Sequence, residues 1–255
     1  METRNDSNIN TESILKLIKL PDLLSICNAL FGFTAILFVL AGVSVSKEAI
    51  KNALVLILVA AVVDGLDGMV ARKVEHSPLG KYLDSLADMV SFGVAPAIVV
   101  YVLLKNFLHV TYTHVDVASA FCGAYVISGM LRLARFNAKP FFQNDFEGFP
   151  ITGSAIFLAS FMLQAIELPY SFSSLLIILM GILCFLMTSR MRYRNIRDKR
   201  IAIPVGIVFF TLFFFYAFYP KLFVYPAAII VALTAFYICS PLARVFASLR
   251  TADQT

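Results

Sequence analysis

Four aspartates stand close together inside a strongly hydrophobic part of the chain. Asp64 and Asp67 are three residues apart, and Asp84 and Asp88 follow about twenty residues later. An ionisable side chain at the centre of a membrane helix costs about 2.5–3.5 kcal/mol on insertion scales. Four such carboxylates therefore need a compensating cation or a polar cavity, and a metal site is the first chemistry that they predict.

The spacing of the first pair predicts one functional helix face. In an α-helix the positions i, i+3, i+4 and i+7 share a face, which places Asp64, Asp67, Gly68 and Ala71 side by side with Arg72 next to them. The two small residues leave room for a bulky group to approach the backbone. A nucleotide diphosphate held by metal ions fits that space and charge, with the arginine as a further cationic partner.

The second pair lies on the helix that follows. Asp84 and Asp88 share a face at i and i+4, and residues 76–80 read His-Ser-Pro-Leu-Gly, a turn that brings the two acidic faces together. An all-oxygen ligand set suits Mg²⁺ or Mn²⁺, and four acids have room for two ions. Two other interpretations stay open: carboxylates paired with basic residues at helix ends, and the ion pathway of a divalent-cation transporter.

Composition predicts an integral membrane protein. The 255 residues are 60% hydrophobic and 15% charged, with a mean hydropathy of +0.83. Apolar stretches long enough to cross about 30 Å of hydrocarbon recur along the chain, so the predicted fold is an all-α, polytopic membrane helix bundle. Eight transmembrane helices are predicted, at 22–44, 49–72, 84–108, 115–137, 151–168, 172–189, 202–219 and 222–246.

The distribution of basic residues predicts the orientation. With the N-terminus inside, 17 of the 21 lysines and arginines fall on the cytoplasmic side, which is the side where positive loops are retained. We therefore expect a multi-pass protein of the cell (cytoplasmic) membrane, with both termini and the acidic run at the cytoplasmic face. The net charge of +5 indicates contact with anionic lipid rather than nucleic acid.

The chain ends carry smaller elements. Residues 1–12 are polar and predicted to be disordered, and residues 13–20 predict an amphipathic helix lying at the membrane interface. Residues 248–255 form a predicted cytoplasmic tail. No soluble domain is predicted between these ends.

The acidic run resembles the signature of the CDP-alcohol phosphotransferases. It reads Asp-x2-Asp-Gly-x2-Ala-Arg-x7-Gly-x3-Asp-x3-Asp, and every specified position is present. The resemblance implies a six-helix core over 21–200, two additional transmembrane helices over 201–247, and a homodimer. It implies further that the four aspartates bind two metal ions, that Asp88 is also the general base, and that Asp64, Gly68, Ala71 and Arg72 line the CDP site.

The flanking sequence resembles the phosphatidylserine synthase branch of that family. Residues 83–96, 131–137 and 189–193 carry this likeness. It implies phosphatidyl transfer from CDP-diacylglycerol, or from a CDP-linked ether lipid, to the hydroxyl of L-serine, releasing CMP. A sister enzyme that uses glycerol phosphate or inositol phosphate remains the alternative, since it would need only a second anion site of basic residues.

The acceptor site is predicted from charge. Serine carries a carboxylate that requires a cation, and Arg132, Arg135 and Arg190 stand near the predicted cytoplasmic face. Asn137 is a further candidate for hydrogen bonds to the acceptor amine or to the nucleotide. Each of these arginines is equally consistent with a marker of membrane topology.

Overall fold

A computed structural model describes most of the chain. The described residues are 18–41, 45–70, 79–107, 112–138, 146–166, 172–193 and 199–252. Nine α-helices and two short strands occur within these ranges, in the order α1 (Leu20–Leu40), α2 (Lys47–Val70), α3 (Gly80–Asp88), α4 (Ala95–Phe107), α5 (Tyr112–Ala138), β1 (Phe146–Glu147), α6 (Ile151–Ala165), α7 (Phe172–Thr188), β2 (Arg192–Tyr193), α8 (Lys199–Phe218) and α9 (Val224–Ala252).

The predicted membrane helix bundle is confirmed. Helix α3 continues into α4 through one π-helical turn. The described residues therefore form eight apolar helical segments, the number that the sequence predicts. Five contain a segment long and apolar enough to cross a membrane: Leu20–Leu40, Lys47–Leu66, Gly80–Asn106, Val117–Ala138 and Val224–Pro241. The other three have shorter apolar segments: Ile151–Ala165, Ser174–Thr188 and Ile203–Phe218.

Helix α1 begins at Leu20, with a defined hydrogen bond at its start. Lys19 has extended backbone, Pro21 occupies the first turn, and the carboxylate of Asp22 accepts a hydrogen bond from the Lys19 amide at 2.8 Å. This contact satisfies one of the amides that a helix start leaves unpaired. The predicted interfacial helix at 13–20 falls mainly outside the described residues, as do residues 1–12, and both stay predictions.

A π-helical turn, Met89–Val94, joins α3 to α4 directly after Asp88. Two hydrogen bonds tie the turn to neighbouring helices. The Tyr125 hydroxyl donates to the Phe92 carbonyl at 3.1 Å, and the Ser91 hydroxyl donates to the Asn28 carbonyl at 2.7 Å. Turns of this kind open the normal hydrogen-bond ladder and are frequent at functional sites.

Helix α1 lies unusually close to this turn. A Cβ atom at Gly32 would fall 2.5 Å from the Ser91 Cα atom, a separation that real side chains do not adopt. Only glycine at this position permits the two backbones to approach so closely. Helix α1 is thereby fixed against the segment that carries Asp88.

The two strands form a small antiparallel pair that the all-α prediction lacks. Glu147 pairs with Arg192, and the loop between β1 and α6 bends at Gly148, which has a φ of 82°. The Gly148 amide donates to the Met191 carbonyl at 2.8 Å, and the Phe149 amide donates to the Leu186 carbonyl at 3.0 Å. These bonds tie the start of α6 to the end of α7.

The core lies mainly among the first six helical segments, α1 to α7, and helices α8 and α9 pack at its side. Most buried apolar side chains come from α1, α2, α4, α5, α6 and α7, with a few from α8 and α9, and α9 packs mainly along α6. Large apolar side chains point outward from α8 and α9, with Phe210 69% and Phe236 78% exposed. An apolar outer surface is what helices facing lipid require.

Candidate active site

Three of the four predicted aspartates converge. One carboxylate oxygen from each of Asp64, Asp84 and Asp88 lies within 4.8 Å of the other two. Helix α2 contributes the first, and α3 contributes the other two. Asp88 is the most deeply buried, at 7% exposure, and the other two are partly buried. The convergence predicted from helical spacing is confirmed for these three residues.

The remaining residues of the signature cannot be placed in the same way. Asp67 and Gly68 belong to α2, but their surroundings lie outside the described part of the structure. Ala71 and Arg72 lie outside the described residues altogether. Their assignment to the metal and CDP sites stays a prediction.

The donor set fits a hard divalent cation. Carboxylate oxygens are the ligands that Mg²⁺ and Mn²⁺ prefer, and the described cluster contains no thiol or imidazole. Three negative charges this close together at membrane depth are stabilised best by a cation between them. Asp64, Asp84 and Asp88 are therefore suited to hold the ion that the sequence predicts.

Asp88 has a neutral partner on helix α1. The Asn28 side-chain amide donates to the Asp88 carboxylate at 3.3 Å, across 60 residues of sequence. Asn28 is fully buried, and its side-chain oxygen has no hydrogen-bond partner among the described residues. Sequence reasoning missed this contact, although Asn28 and Gly32 stand four residues apart on one face of α1.

Asp64 has a partner on helix α6. The Thr152 hydroxyl donates to the Asp64 carboxylate at 3.4 Å, and Thr152 lies in the first turn of α6. The helix start adds a partial positive charge to the same region. This contact was not predicted either, because the two residues are separated by 88 positions.

Of the predicted acceptor residues, Arg132 is the one whose charge lies within electrostatic range of the three described carboxylates. Its guanidinium interacts electrostatically with Asp64, Asp84 and Asp88, and it also lies near Tyr237 of α9. The guanidinium stands 5.7 Å from the centre of the Phe136 ring. Arg132 therefore provides positive charge beside the acidic cluster.

Arg135 and Arg190 have different surroundings. The Arg135 guanidinium donates to the carbonyls of Thr188 and Ser189 at 2.8 and 2.9 Å, which are backbone groups at the end of α7. Helix ends leave such carbonyls unpaired and attract cations. Arg190 is exposed. These contacts favour a structural role for Arg135, and the acceptor role of both arginines stays a prediction.

Asn137 joins the end of α5 to α3. Its amide donates to the Ser85 hydroxyl at 2.8 Å, and its backbone carbonyl accepts a bond from the Lys81 ammonium at 2.9 Å. Its side-chain oxygen is buried without a partner among the described residues. Asn137 therefore contacts Ser85, the residue that follows Asp84, and its role in acceptor binding stays a prediction.

An aromatic cluster joins α9 to β2 and to the residues before α6. The ring centres of Phe149, Tyr193 and Tyr237 are 5.3–5.9 Å apart, which is ordinary packing distance for aromatic pairs. Burial raises the pKa of Tyr193 to about 12, so its hydroxyl remains protonated at neutral pH. The cluster connects α9 to the start of α6, three residues before Thr152.

Comparison with known proteins gives a family match over most of the membrane helices. The family model described as CDP-alcohol phosphatidyltransferase matches residues 18–185. The matched range contains Asp64, Asp84, Asp88 and both of their neutral partners. It ends before Tyr193, α8 and α9.

Several curated proteins are similar in sequence. An archaetidylserine synthase of Methanothermobacter thermautotrophicus is 39% identical over 158 residues, covering 61% of this chain and 62% of the relative. A CDP-diacylglycerol–serine O-phosphatidyltransferase of Methanocaldococcus jannaschii is 37% identical over 191 residues, covering 73% of this chain and 79% of the relative. One of the same name from Helicobacter pylori is 33% identical over 153 residues, covering 57% and 61%. The chain thus spans less than two thirds of the first and third relatives.

Proposed function

Because the chain belongs to the CDP-alcohol phosphatidyltransferase family, we propose that it transfers a phosphatidyl group from CDP-diacylglycerol to the hydroxyl of L-serine, giving phosphatidylserine and CMP. The observation that carries the proposal is the convergence of Asp64, Asp84 and Asp88 within 4.8 Å. The names of the relatives support serine as acceptor. Family membership favours an enzyme over a divalent-cation transporter.

We propose a CDP-linked lipid as the donor and leave two types of lipid chain open. One relative is named for an archaetidyl product and others for a diacylglycerol donor, so a CDP-linked ether lipid is the alternative to CDP-diacylglycerol. Both carry the same CDP group, which is the part that the acidic cluster would recognise. A CDP-linked lipid that enters laterally from the inner leaflet would reach the cytoplasmic ends of α2 and α3 without leaving the membrane.

The reaction has a simple atom balance. The serine hydroxyl oxygen bonds to the lipid-linked phosphorus, the bond from that phosphorus to the CMP oxygen breaks, and Asp88 takes the hydroxyl proton. Asp64, Asp67, Asp84 and Asp88 would hold one or two Mg²⁺ or Mn²⁺ ions, which supply positive charge to the diphosphate when bound.

The remaining residues would bind and orient the substrates. Asp64, Gly68, Ala71 and Arg72 would line the CDP site. Arg132 would pair with the serine carboxylate, a role supported by its position beside the cluster. The Asn28 and Thr152 contacts would keep Asp88 and Asp64 in fixed orientations, as partners of metal ligands commonly do.

We also propose the cellular setting. The multi-pass protein would lie in the cytoplasmic membrane as a homodimer, with both termini and the active site at the cytoplasmic face. The family match over 18–185 supports the prediction of a core at 21–200 followed by two added helices at 201–247. Reactivity of single introduced cysteines at residues 2 and 254 in sealed vesicles tests the orientation.

The deciding experiment measures CMP release by detergent-purified protein given CDP-diacylglycerol and Mn²⁺ or Mg²⁺. L-serine, glycerol 3-phosphate and inositol phosphate are supplied separately. CMP release with serine alone supports the proposal. Release with a phosphorylated acceptor instead would replace serine by that acceptor, and no release with any of them would return the transporter interpretation to consideration.

A further inference from the structure

The side-chain oxygen of Asn28 is an unexplained polar group. Asn28 is 0% exposed, and this oxygen has no hydrogen-bond partner among the described residues. A buried amide oxygen without a donor costs about 1–3 kcal/mol, so such groups usually serve a ligand or an ordered water. The oxygen belongs to the same amide group that donates to Asp88.

The position of this oxygen is fixed by three contacts. The Asn28 amide bonds Asp88, the Asn28 backbone carbonyl accepts the Ser91 hydroxyl, and Gly32 allows α1 to touch the π-helical turn. A side chain held at both ends in this way has little freedom to turn away. The free oxygen is therefore a preformed acceptor beside the carboxylate that takes the proton in the proposed reaction.

The geometry matches an amino alcohol. Given the planar amide and the bond to Asp88, the free oxygen lies about 4–5 Å from the Asp88 oxygen. The hydroxyl and ammonium groups of serine are two carbons apart, at a separation of about 3 Å. One serine molecule can therefore donate its hydroxyl to Asp88 and its ammonium to Asn28 at the same time.

We propose that the Asn28 side-chain oxygen binds the ammonium group of the acceptor and selects amino alcohols over phosphorylated polyols. The inference rests on the proposed serine transfer and adds a residue that the signature does not contain. Arg132 would then bind the carboxylate of the serine acceptor, and the Asn28 side-chain oxygen would bind its ammonium group. Glycerol phosphate and inositol phosphate have no ammonium to offer.

The test separates ammonium binding from the support of Asp88. Asn28→Leu removes both amide functions at similar volume, whereas Asn28→Asp keeps an acceptor oxygen and removes the donor. Asn106→Leu is the matched control, because Asn106 lies at the far end of α4 and, within the described part of the chain, bonds the Val102 carbonyl of its own helix and no other group. Each purified variant is assayed for CMP release with varied L-serine, and with 3-hydroxypropanoate, which lacks the ammonium, as a competitor.

The expected results differ between the variants. Asn28→Leu raises the KM for L-serine at least tenfold, as loss of a hydrogen bond to a charged group predicts, and leaves the inhibition constant of 3-hydroxypropanoate within about twofold. Asn28→Asp lowers kcat without raising the KM for serine. Asn106→Leu behaves like the unchanged protein.

Three outcomes would overturn the inference. An equal loss of affinity for L-serine and 3-hydroxypropanoate in Asn28→Leu would assign Asn28 to the support of Asp88 alone. A raised KM for serine in Asn28→Asp would exclude ammonium binding even where the leucine variant fails to fold. Wild-type protein that releases CMP only with a phosphorylated acceptor would overturn the proposed function and this inference together, whereas the first two outcomes leave serine transfer intact.

Discussion

The segments α1 and α3, with the π-helical turn after α3, differ sharply in their buried polar groups from α8 and α9. Nine polar side chains are buried among the described residues, and six of them lie on α1, on α3 or in the π-helical turn after α3. We call these six the polar seam: Asp22, Ser25, Asn28, Ser85, Asp88 and Ser91. Helices α8 and α9 contribute none of the nine and instead expose large apolar side chains such as Phe210 and Phe236. Both regions sit in a predicted membrane environment.

The difference shows where a membrane protein concentrates its function. Lipid does not compete for hydrogen bonds, so a polar group in a membrane helix must be paired inside the protein. The seam pairs Asn28 with Asp88 and Ser91, and the side-chain oxygen of Asn28, beside the acidic cluster, has no hydrogen-bond partner among the described residues. The outer helices need only an apolar surface, and changes there should be tolerated.

The largest expected effect comes from the acidic cluster beside the seam. Asp64→Asn removes a charged oxygen ligand, and we expect CMP release to fall at least about 100-fold with weaker Mn²⁺ binding. Electron paramagnetic resonance of Mn²⁺ titrated into the protein measures the second effect. Glu48→Gln is the control on the same helix, since Glu48 is 71% exposed and pairs only with Lys51 among the described residues. Equal losses in both variants would contradict the site assignment.

The next largest effect on stability is expected at Gly32, where the backbone of α1 lies close to the π-helical turn. Gly32→Ala places a Cβ atom 2.5 Å from the Ser91 Cα atom, so α1 must move away from the turn that follows Asp88. We expect a loss of about 2–3 kcal/mol in the free energy of unfolding and lower activity. Gly206→Ala on α8 is the matched change, because nothing lies within 4 Å of its added Cβ atom. Thermal unfolding in detergent measures both variants. Equal unfolding temperatures would contradict the expectation that the position on α1 is less tolerant of change than the position on α8.

Arg135 tests a structural contact near the seam. Arg135→Leu leaves the carbonyls of Thr188 and Ser189 without their donor, and we expect the free energy of unfolding to fall by about 1–2 kcal/mol. Arg135→Lys, which keeps one donor, should lose less. The KM for serine should not change in either variant. A raised KM with normal stability would instead support the acceptor role that the sequence also allows.

The smallest effect concerns one hydroxyl. Tyr125→Phe removes the donor to the Phe92 carbonyl in the π-helical turn, and we expect a loss of about 1 kcal/mol in stability. Tyr225→Phe is the comparison on α9, where the side chain is 68% exposed, and it should change stability by less than about 0.5 kcal/mol. Unfolding midpoints of the two proteins measure the difference. A larger loss from Tyr225→Phe would reverse the expected order.

Local patterns predicted much of the site. Helical periodicity placed Asp64 on one face and Asp84 with Asp88 on another, and the turn between them predicted that these faces meet. Hydropathy predicted eight apolar helices, which the described residues contain. Helical periodicity and hydropathy depend on residues within a few helical turns of one another. Both can therefore be determined from the local sequence.

Contacts between distant helices could not be predicted in this way. Asn28 meets Asp88 across 60 residues and Thr152 meets Asp64 across 88, and no local pattern encodes which helices become neighbours. The same limit applies to Arg135, whose sequence position beside Arg132 suggested a shared role. In the folded protein the Arg135 guanidinium donates to backbone carbonyls at the end of α7, whereas the charge of Arg132 acts on the acidic cluster.

The sequence by itself determined the membrane helices and the acidic signature, because hydrophobic length and helical spacing are local properties of the chain. Only the tertiary structure decided which neutral groups surround the carboxylates. That choice depends on the close approach at Gly32, on the π-helical turn after Asp88, and on the start of α6 being held against α7. Each arises from packing between segments far apart in sequence, where side-chain shape and hydrogen-bond pairing select one arrangement.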